Sequence, residues 1–156
     1  PEKRKKRILI NLRATSKYHG FTNGSRHSVT YNGKRYPTSE HLYQAFKFMD
    51  NRPDIAEVIR TVPKSPGAAF TYSMAHRAQQ HPDWDRMCIA KMEIALWHKF
   101  MQNADIKQKL LDTGDAELVR PTTDNFWGVG MDEKGRNEFG KVLERVRASL
   151  RESEAH

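Results

Sequence analysis

The segment from Tyr36 to Met49 constrains the fold more than any other part of the sequence, because its residue spacing predicts a helix with two different sides. At about 100° per residue, apolar side chains fall on one side and polar side chains on the other. The apolar side consists of Leu42, Ala45, Phe46 and Met49, and the polar side of Glu40, Tyr43, Gln44 and Lys47. Pro37 fixes the entry to the helix. Thr38 is the predicted N-cap, because its hydroxyl can accept a hydrogen bond from a first-turn amide.

The polar side of this helix has two interpretations. Glu, Gln and Lys are common on solvated helix faces, so contact with water explains the row by itself. The same row also aligns a carboxyl group, an amide, a phenol and an amine, which is a set that catalysis can use. The sequence leaves both interpretations open.

Length and composition predict one core and an intracellular protein. The chain has 156 residues, of which 37% are apolar and 29% charged. No apolar run approaches the ~18 residues of a membrane span, so no membrane partner is expected. The single Cys88 cannot form an internal disulfide, which fits a reducing compartment, either cytoplasmic or nuclear.

The positive charge is concentrated at the start of the sequence. Of the net charge of +8, residues 1–7 carry +4, from five basic groups and one acid. We expect a disordered arm, which can be a nuclear-localisation signal, a phosphate-binding tail or a solubilising terminus. Nucleic acid is a candidate partner through Lys3–Arg7. The remaining +4 does not require a polyanion, but it would help a site accept a phosphorylated ligand.

The remaining patterns predict an α+β fold, a mostly helical single domain over residues 8–152 with a small antiparallel β-sheet. Arg7–Leu12 is a predicted strand, and the turn signal Asn32-Gly33 predicts a hairpin directly before the helix. Helices are predicted from Pro53, from Ser65 to about Gln80, from His81, through Leu110, and from about Phe139 to Leu150, with a last short strand at Glu117–Arg120.

Several kinds of chemistry have no support in the sequence. It has no His-Glu-x-x-His motif and no Cys/His cluster, so no metal and no cofactor are predicted. Cys88 belongs to the stripe Cys88, Met92, Leu96 and Phe100, which is predicted to be buried, and a buried thiol is inert. Glu40 and Lys47 on one helix, with Asp124 elsewhere, are the remaining candidates for catalysis.

A glycine-rich loop precedes the last helix, at residues 124–137. With Arg136 and Asn137 at the helix start it resembles an anion pocket, although a surface turn capped by Asn137 explains the same residues.

Trp84 and Trp127 can each offer a flat face to a base or ribose, or can simply pack, whereas Trp97 falls on the apolar stripe and is predicted to lie in the core.

Five blocks in order resemble the NADAR family, also called YbiA-like. They lie at residues 36–48, 83–85, 99–103, 110–118 and 124–141. The resemblance implies an N-glycosidase. Some members hydrolyse ribosylamino-uracil intermediates of riboflavin biosynthesis, and others remove ADP-ribose from guanine in nucleic acid.

The resemblance also implies roles for individual residues. Glu40 and Lys47 become the catalytic candidates. The implied substrate-binding residues are Asn23, Tyr43, Gln44, Trp84, Asp124, Trp127, Gly130, Arg136 and Asn137. This chain departs from the family pattern at Gly24, where an aromatic residue is usual, and at Arg120, which is more often acidic. Both departures bear on specificity.

Two mechanisms fit an exocyclic ribosylamine. The sugar ring can open to an imine, so that a neutral Lys47 forms a Schiff base while Glu40 moves the proton. Alternatively, Glu40 or Asp124 activates water on the closed sugar. The basic arm favours ADP-ribosylated guanine over the riboflavin intermediate, and a non-catalytic binder of ADP-ribose or nucleic acid is the further alternative.

Overall fold

The structure, a computed structural model of the chain, describes residues 5–155. In chain order its elements are β1 (Arg7–Leu9), β2 (Val29–Tyr31), β3 (Lys34–Tyr36), α1 (Ser39–Phe46), α2 (Pro53–Thr61), α3 (Pro66–Ala75), α4 (Trp84–Gln102), α5 (Ala104–Asp112), β4 (Glu117–Val119) and α6 (Glu138–Glu154). Two 3-10 turns lie at His19–Phe21 and Arg77–Gln79. Helices dominate, so the predicted α+β class is confirmed. No helix in this range is both long and apolar enough to span a membrane.

The predicted hairpin is confirmed. Strands β2 and β3 pair antiparallel, with Val29 opposite Tyr36 and Tyr31 opposite Lys34. At the turn, Asn32 has a φ of 49° and Gly33 a φ of 78°. These are the left-handed conformations that an Asn-Gly turn adopts at low cost. The hairpin therefore leads directly into α1 through Pro37.

By internal packing, the chain divides into two compact units. One consists of residues 23–102 and holds the hairpin and helices α1 to α4. In it, α1 contacts α2, α3 and α4. The fully buried apolar residues of this unit include Leu42, Phe48, Ile59, Leu96 and Phe100. Helix α1 is thus the element around which residues 23–102 pack.

The other unit combines the first residues of the chain, up to Thr22, with those from Asn103 onwards. In it, β1 and β4 form a parallel pair, with Ile8 opposite Leu118. The sequence predicted only an antiparallel sheet, and this parallel pair is an addition to that prediction. The buried apolar residues of this unit include Ile10, Leu110, Leu118, Leu143 and Leu150.

The predicted arm lies partly outside the described residues, and two predictions of burial need correction. Residues 1–4 of the predicted arm lie outside the described residues, and Arg7 is already the first residue of β1. Cys88 and Trp97 are partly exposed and not buried as predicted, whereas Phe100 is fully buried. Residues four apart rotate by about 40° around a helix axis, so Cys88 has drifted off the face on which Phe100 lies.

The start of α6 gives a stability prediction. A Cβ atom on Gly140 would lie 1.9 Å from the Leu118 carbonyl oxygen, which belongs to strand β4, so Gly140→Ala forces backbone atoms apart. We expect it to lower the free energy of unfolding by more than about 2 kcal/mol in urea denaturation. The matched control is Gly67→Ala in α3, where a Cβ atom meets nothing within 4 Å. That variant is expected to be neutral or stabilising by up to about 1 kcal/mol, and equal losses in both variants would contradict the argument.

Candidate active site

A buried hydrogen-bond network fixes the start of α1. As predicted, Thr38 is the N-cap, and its Oγ1 accepts from the His41 amide at 3.2 Å. The same oxygen lies 2.8 Å from Nδ1 of the His41 ring, whose Nε2 lies 2.9 Å from the Pro63 carbonyl oxygen. Burial lowers the pKa of His41, so the ring is neutral and donates to Pro63 from Nε2. The position of Glu40, in the first turn, is therefore held from outside the helix.

The polar side of α1 is buried. The exposed fraction is 5% for Tyr43, 2% for Gln44 and 8% for Lys47, and Glu40 is only partly exposed. Burying such groups costs free energy unless they interact with one another. The interpretation of this row as a solvated face is therefore wrong, because the rest of residues 23–102 covers it.

Glu40 lies among polar partners. The Gln44 Nε2 donates to its carboxylate at 2.7 Å, and its backbone amide donates to the Asn23 carbonyl at 3.3 Å. Burial raises the pKa of Glu40, whereas hydrogen bonding by Gln44 and Asn23 and the charges of Lys47 and Lys99 act in the opposite direction. A carboxyl group with a raised pKa can both donate and accept a proton near neutral pH.

Gln44 has an unused hydrogen-bonding atom. Its Oε1 is buried and accepts no hydrogen bond from residues 5–155. Buried acceptors without a donor are uncommon, and each one needs an explanation. A ligand with an N–H or O–H group next to Glu40 would satisfy this oxygen.

Lys47 closes the helix beside an aromatic wall. It is the C-cap of α1, and its Nζ lies 5.9 Å from the centroid of the Trp84 ring, which in turn is 5.3 Å from the Tyr43 ring. Burial lowers the pKa of Lys47, the Glu40 carboxylate raises it, and the charge of Arg77 lowers it further. A lowered pKa increases the fraction of neutral amine, which is the nucleophilic form.

The structure adds a second buried amine that sequence reasoning missed. Lys99 is fully buried in α4, and its Nζ donates to Ser25 Oγ at 2.8 Å. That oxygen lies 2.8 Å from Nδ1 of His27. Burial lowers the pKa of Lys99 to about 7, although the Glu40 carboxylate acts in the opposite direction. A signal was present, because Lys99 is seven residues after Met92 and so lies on the same apolar helix face.

The predicted site residues divide between the two units. Residues 23–102 bring together Asn23, Glu40, Tyr43, Gln44, Lys47 and Trp84 around the polar side of α1. The predicted residues of the glycine loop, which are Asp124, Trp127, Gly130, Arg136 and Asn137, belong to the other unit.

The glycine loop uses most of its polar groups internally. Asp124 Oδ1 accepts from the amides of Phe126 and Trp127, at 2.7 and 2.9 Å. The first amides of α6, those of Glu138 and Phe139, donate to carbonyls of the same loop. The predicted anion pocket depends on free amides at this helix start, and these two are already bonded. Gly130, with a φ of 73°, supplies a left-handed turn.

Arg136 and Asn137 also have partners within their unit. The Arg136 guanidinium is ion-paired with Glu138 at 3.0 Å and lies 4.8 Å from the centroid of the Phe126 ring. The Asn137 side chain donates to the Leu118 carbonyl and accepts from the Arg120 amide, both at 2.9 Å. Asn137 therefore ties α6 to the end of β4, and its side chain does not cap the helix as one interpretation predicted.

Arg120, one of the two departures from the family pattern, also has a structural contact. Its guanidinium donates to the Ile10 carbonyl at 2.9 Å, and burial lowers its pKa. Within residues 5–155, no group of three or more His, Cys, Asp or Glu side chains could hold a metal ion.

Together, the fold and the site define an α+β protein that carries a partly exposed acid with a raised pKa, two amines with lowered pKa values and an aromatic wall. Comparison with known proteins agrees. The model of the NADAR domain matches residues 7–151, so the chain belongs to the NADAR domain family. This one match includes residues of both units.

Several relatives carry names that describe an activity. N-glycosidase YbiA of Escherichia coli is 36% identical over 144 residues, which cover 91% of this chain and 88% of the relative. An N-glycosidase of Nostoc punctiforme is 35% identical, with 86% of each chain covered. The chain is accordingly a hydrolase of the N-glycosidase class.

Two further comparisons concern a solved structure and a longer relative. The NMR structure of E. coli YbiA matches 99% of this chain and 90% of its own, with a TM-score of 0.86 and 31% identity. A riboflavin biosynthesis protein of Vibrio vulnificus is 40% identical over 136 residues. This chain spans 36% of the length of that relative.

The buried amine of Lys99 gives a pH-dependent stability prediction. Its folded-state pKa of about 7 lies below the usual 10.5, so between these values the unfolded chain binds more protons and the folded state gains stability as the pH rises. At or below pH 7 the folded chain instead bears the cost of a buried charge. Lys99→Met is therefore expected to raise the free energy of unfolding by a few kcal/mol at pH 6, with a smaller gain at pH 9.5.

Urea denaturation at the two pH values measures this effect. The exposed Lys134→Met is the control and should change the free energy of unfolding by less than about 0.5 kcal/mol at both. A change of the same size in Lys99→Met at pH 6 and pH 9.5 would contradict the lowered pKa of Lys99, because that shift requires the effect to differ between the two pH values.

Proposed function

We propose that the chain hydrolyses the bond between C1 of a ribose and an exocyclic amine, and that its substrate is ADP-ribosylated guanine, as a nucleoside or within nucleic acid. The observation that carries the proposal is that α1 places a buried Lys47 and a partly exposed Glu40, both with pKa values shifted by burial, beside the unsatisfied oxygen of Gln44. An exocyclic amine carries N–H groups, which suit that oxygen. An intracellular location, cytoplasmic or nuclear, goes with such a substrate.

In this proposal Lys47 is the nucleophile. The ribose ring opens to an imine, the neutral amine of Lys47 adds to C1, and the bond from C1 to the exocyclic nitrogen breaks. Glu40 gives a proton to the leaving nitrogen and then takes one from the water that adds to C1. The bond from C1 to Nζ of Lys47 then breaks, which releases the sugar as an aldehyde that can close to the ribose ring and restores the neutral lysine. The net reaction consumes one water and needs no redox partner.

Lys47 is a better candidate for the nucleophile than Lys99. Lys47 retains 8% exposure and faces Trp84, whereas Lys99 has none and donates to Ser25. We assign to Lys99 a positioning role, since its charge favours the ionised form of Glu40. If direct attack by water replaces the Schiff base, Glu40 is the favoured base, because Asp124 is exposed and caps two amides.

Residues of the glycine loop enter the proposal with smaller roles. Trp127 and Gly130 remain proposed contacts for the substrate. For Asp124 and Asn137 we propose an indirect role, holding the loop in shape, since their side chains bond to backbone groups. Residues 8–152 are proposed to act as one domain, which the continuous family match supports.

A second candidate substrate is a ribosylamino-uracil phosphate from riboflavin biosynthesis. The name of the Vibrio vulnificus relative favours it. Both candidates link ribose C1 to an exocyclic amine, so the same residues serve either. A non-catalytic binder of ADP-ribose or nucleic acid is the alternative outside enzymes. It predicts binding that survives loss of Glu40, and a plain nucleic-acid module predicts binding that needs residues 1–7 and weakens steeply with salt.

The substrate is tested by direct competition. We expect the purified chain to release free sugar from ADP-ribosylated guanosine at least about tenfold faster than from ribosylaminouracil phosphate, because its cationic excess suits the additional phosphate. Lys47→Ala and Glu40→Gln are expected to lose at least about 100-fold in rate with either substrate. Faster release from the uracil compound would favour the riboflavin reaction, and unchanged activity in Lys47→Ala would remove the catalytic proposal.

The Schiff base is tested by trapping it. Sodium borohydride added during turnover should reduce the imine and leave the sugar on Lys47, which peptide mass spectrometry locates. Lys47→Ala should give no adduct, whereas Lys99→Met should still give one at Lys47. A wild-type chain that turns over without any adduct would indicate direct hydrolysis, and an adduct on Lys99 would transfer the nucleophilic role.

A further inference from the structure

A cationic cavity lies in residues 23–102, outside the polar row of α1. It has a volume of about 410 Å³. Three cations line it, which are Arg26 ahead of the hairpin, Arg35 in β3 and Lys64 between α2 and α3, and no acid does. The cavity therefore concentrates positive charge from three separate segments. A volume of this size is typical of small-ligand sites.

The charges of these three residues are not compensated. None of them has an ion pair with an acid of residues 5–155. By contrast, the adjacent cations Lys34 and Arg60 both pair with Glu57. Glu57 is thus already paired with two other cations, so the cavity retains its positive potential.

The helix start at the cavity adds to this potential. Helix α3, ten residues long, begins at Pro66 directly after its N-cap Ser65, and both residues line the cavity. The N-terminal end of a helix carries partial positive charge, which stabilises anions. Cations and helix dipole therefore act in the same direction.

The cavity adjoins the start of α1. Thr38, the N-cap of α1, lines it, and so does Gly24, next to the Asn23 carbonyl that accepts from the Glu40 amide. Gly24 has no side chain, so only its backbone lines the cavity close to the segment that carries Glu40.

We propose that this cavity binds phosphate groups of a nucleotide ligand. In the glycine loop, by contrast, Arg136 is paired with Glu138 and the Asn137 side chain is bonded to backbone groups. The phosphates are either the pyrophosphate of an ADP-ribosyl group or the phosphodiesters of a nucleic-acid strand. That these phosphates belong to a substrate of the enzyme rests on the proposed function. The binding of phosphate groups in the cavity does not.

The test measures binding of ligands that cannot be cleaved. ADP is titrated by calorimetry, and a fluorescein-labelled single-stranded DNA of 12 nucleotides by fluorescence anisotropy, with the chain of 156 residues at 50–200 mM salt. The cavity variant is Arg26→Gln/Arg35→Gln/Lys64→Gln. The control, Arg13→Gln/Lys109→Gln/Lys134→Gln, removes the same charge from exposed cations that do not line the cavity.

We expect the cavity variant to lose at least about tenfold in affinity and to show a shallower salt dependence, while the control loses less than about threefold. An effect on ADP identifies a pyrophosphate, and an effect on the DNA alone identifies a strand. Equal losses in both triple variants, or no binding of either ligand by the unmodified chain, would overturn the proposal. Circular dichroism and melting temperature exclude unfolding of the variants.

Failure of the cavity and failure of the proposed reaction remain distinguishable. Lys47→Ala should bind ADP or DNA as the unmodified chain does, whatever its activity. If the cavity variant binds normally and sugar is still released from ADP-ribosylated guanosine, the enzyme proposal stands and the cavity proposal falls. If binding depends on the cavity but no sugar is released, the reverse holds.

Discussion

The rest of the structure depends on the burial of Lys47 and Lys99 close to Glu40, which is itself only partly exposed. Burial alone favours the neutral form of all three groups, and their mutual attraction favours the charged forms. In each group burial is the larger effect, so the pKa of Glu40 is raised and the pKa values of both lysines are lowered. An exposed carboxylate and exposed ammonium groups would stay fully charged at neutral pH and could not serve as acid and nucleophile. The packing of α1 against three other helices offsets the free-energy cost of burying these groups.

The surroundings of these groups give them different tasks. The network of Thr38, His41 and Pro63 holds the helix start, so the position of Glu40 does not depend on a ligand. Lys47, at the helix end, faces an indole ring and keeps a small exposed area, which a nucleophile needs. Lys99 is fully buried in α4, where its Nζ donates to Ser25 Oγ and its charge favours the ionised form of Glu40. The two amines near Glu40 therefore have different surroundings and different proposed roles.

The distribution of charge on the surface follows a second pattern. Lys34 and Arg60 share Glu57, whereas Arg26, Arg35 and Lys64 face a cavity without an acid. Surface pairs of the first kind contribute little to stability. Unpaired cations around a concave surface instead raise the local concentration of anions. Part of the excess positive charge of the chain therefore lies around this cavity, in addition to the charge of the basic residues at the start of the sequence.

Local features of this protein could be predicted from sequence, because they depend on residues close together in the chain. The Asn32-Gly33 hairpin, the Thr38 cap and the apolar side of α1 belong to this group. Features that depend on contacts between distant segments could not be predicted in this way. Arg7 pairs with Glu117, and Lys99 reaches the surroundings of Glu40 from another helix. Periodicity distinguishes apolar from polar faces but does not show what covers a face.

The sequence by itself therefore determined that a helix would carry Glu40, Tyr43, Gln44 and Lys47 in one row, since helix geometry follows from local spacing. Only the tertiary structure decided that this row is buried, because water is excluded by elements from elsewhere in residues 23–102. The same reason applies to the glycine loop, whose amides satisfy carbonyls of their own loop, a pairing that composition does not reveal.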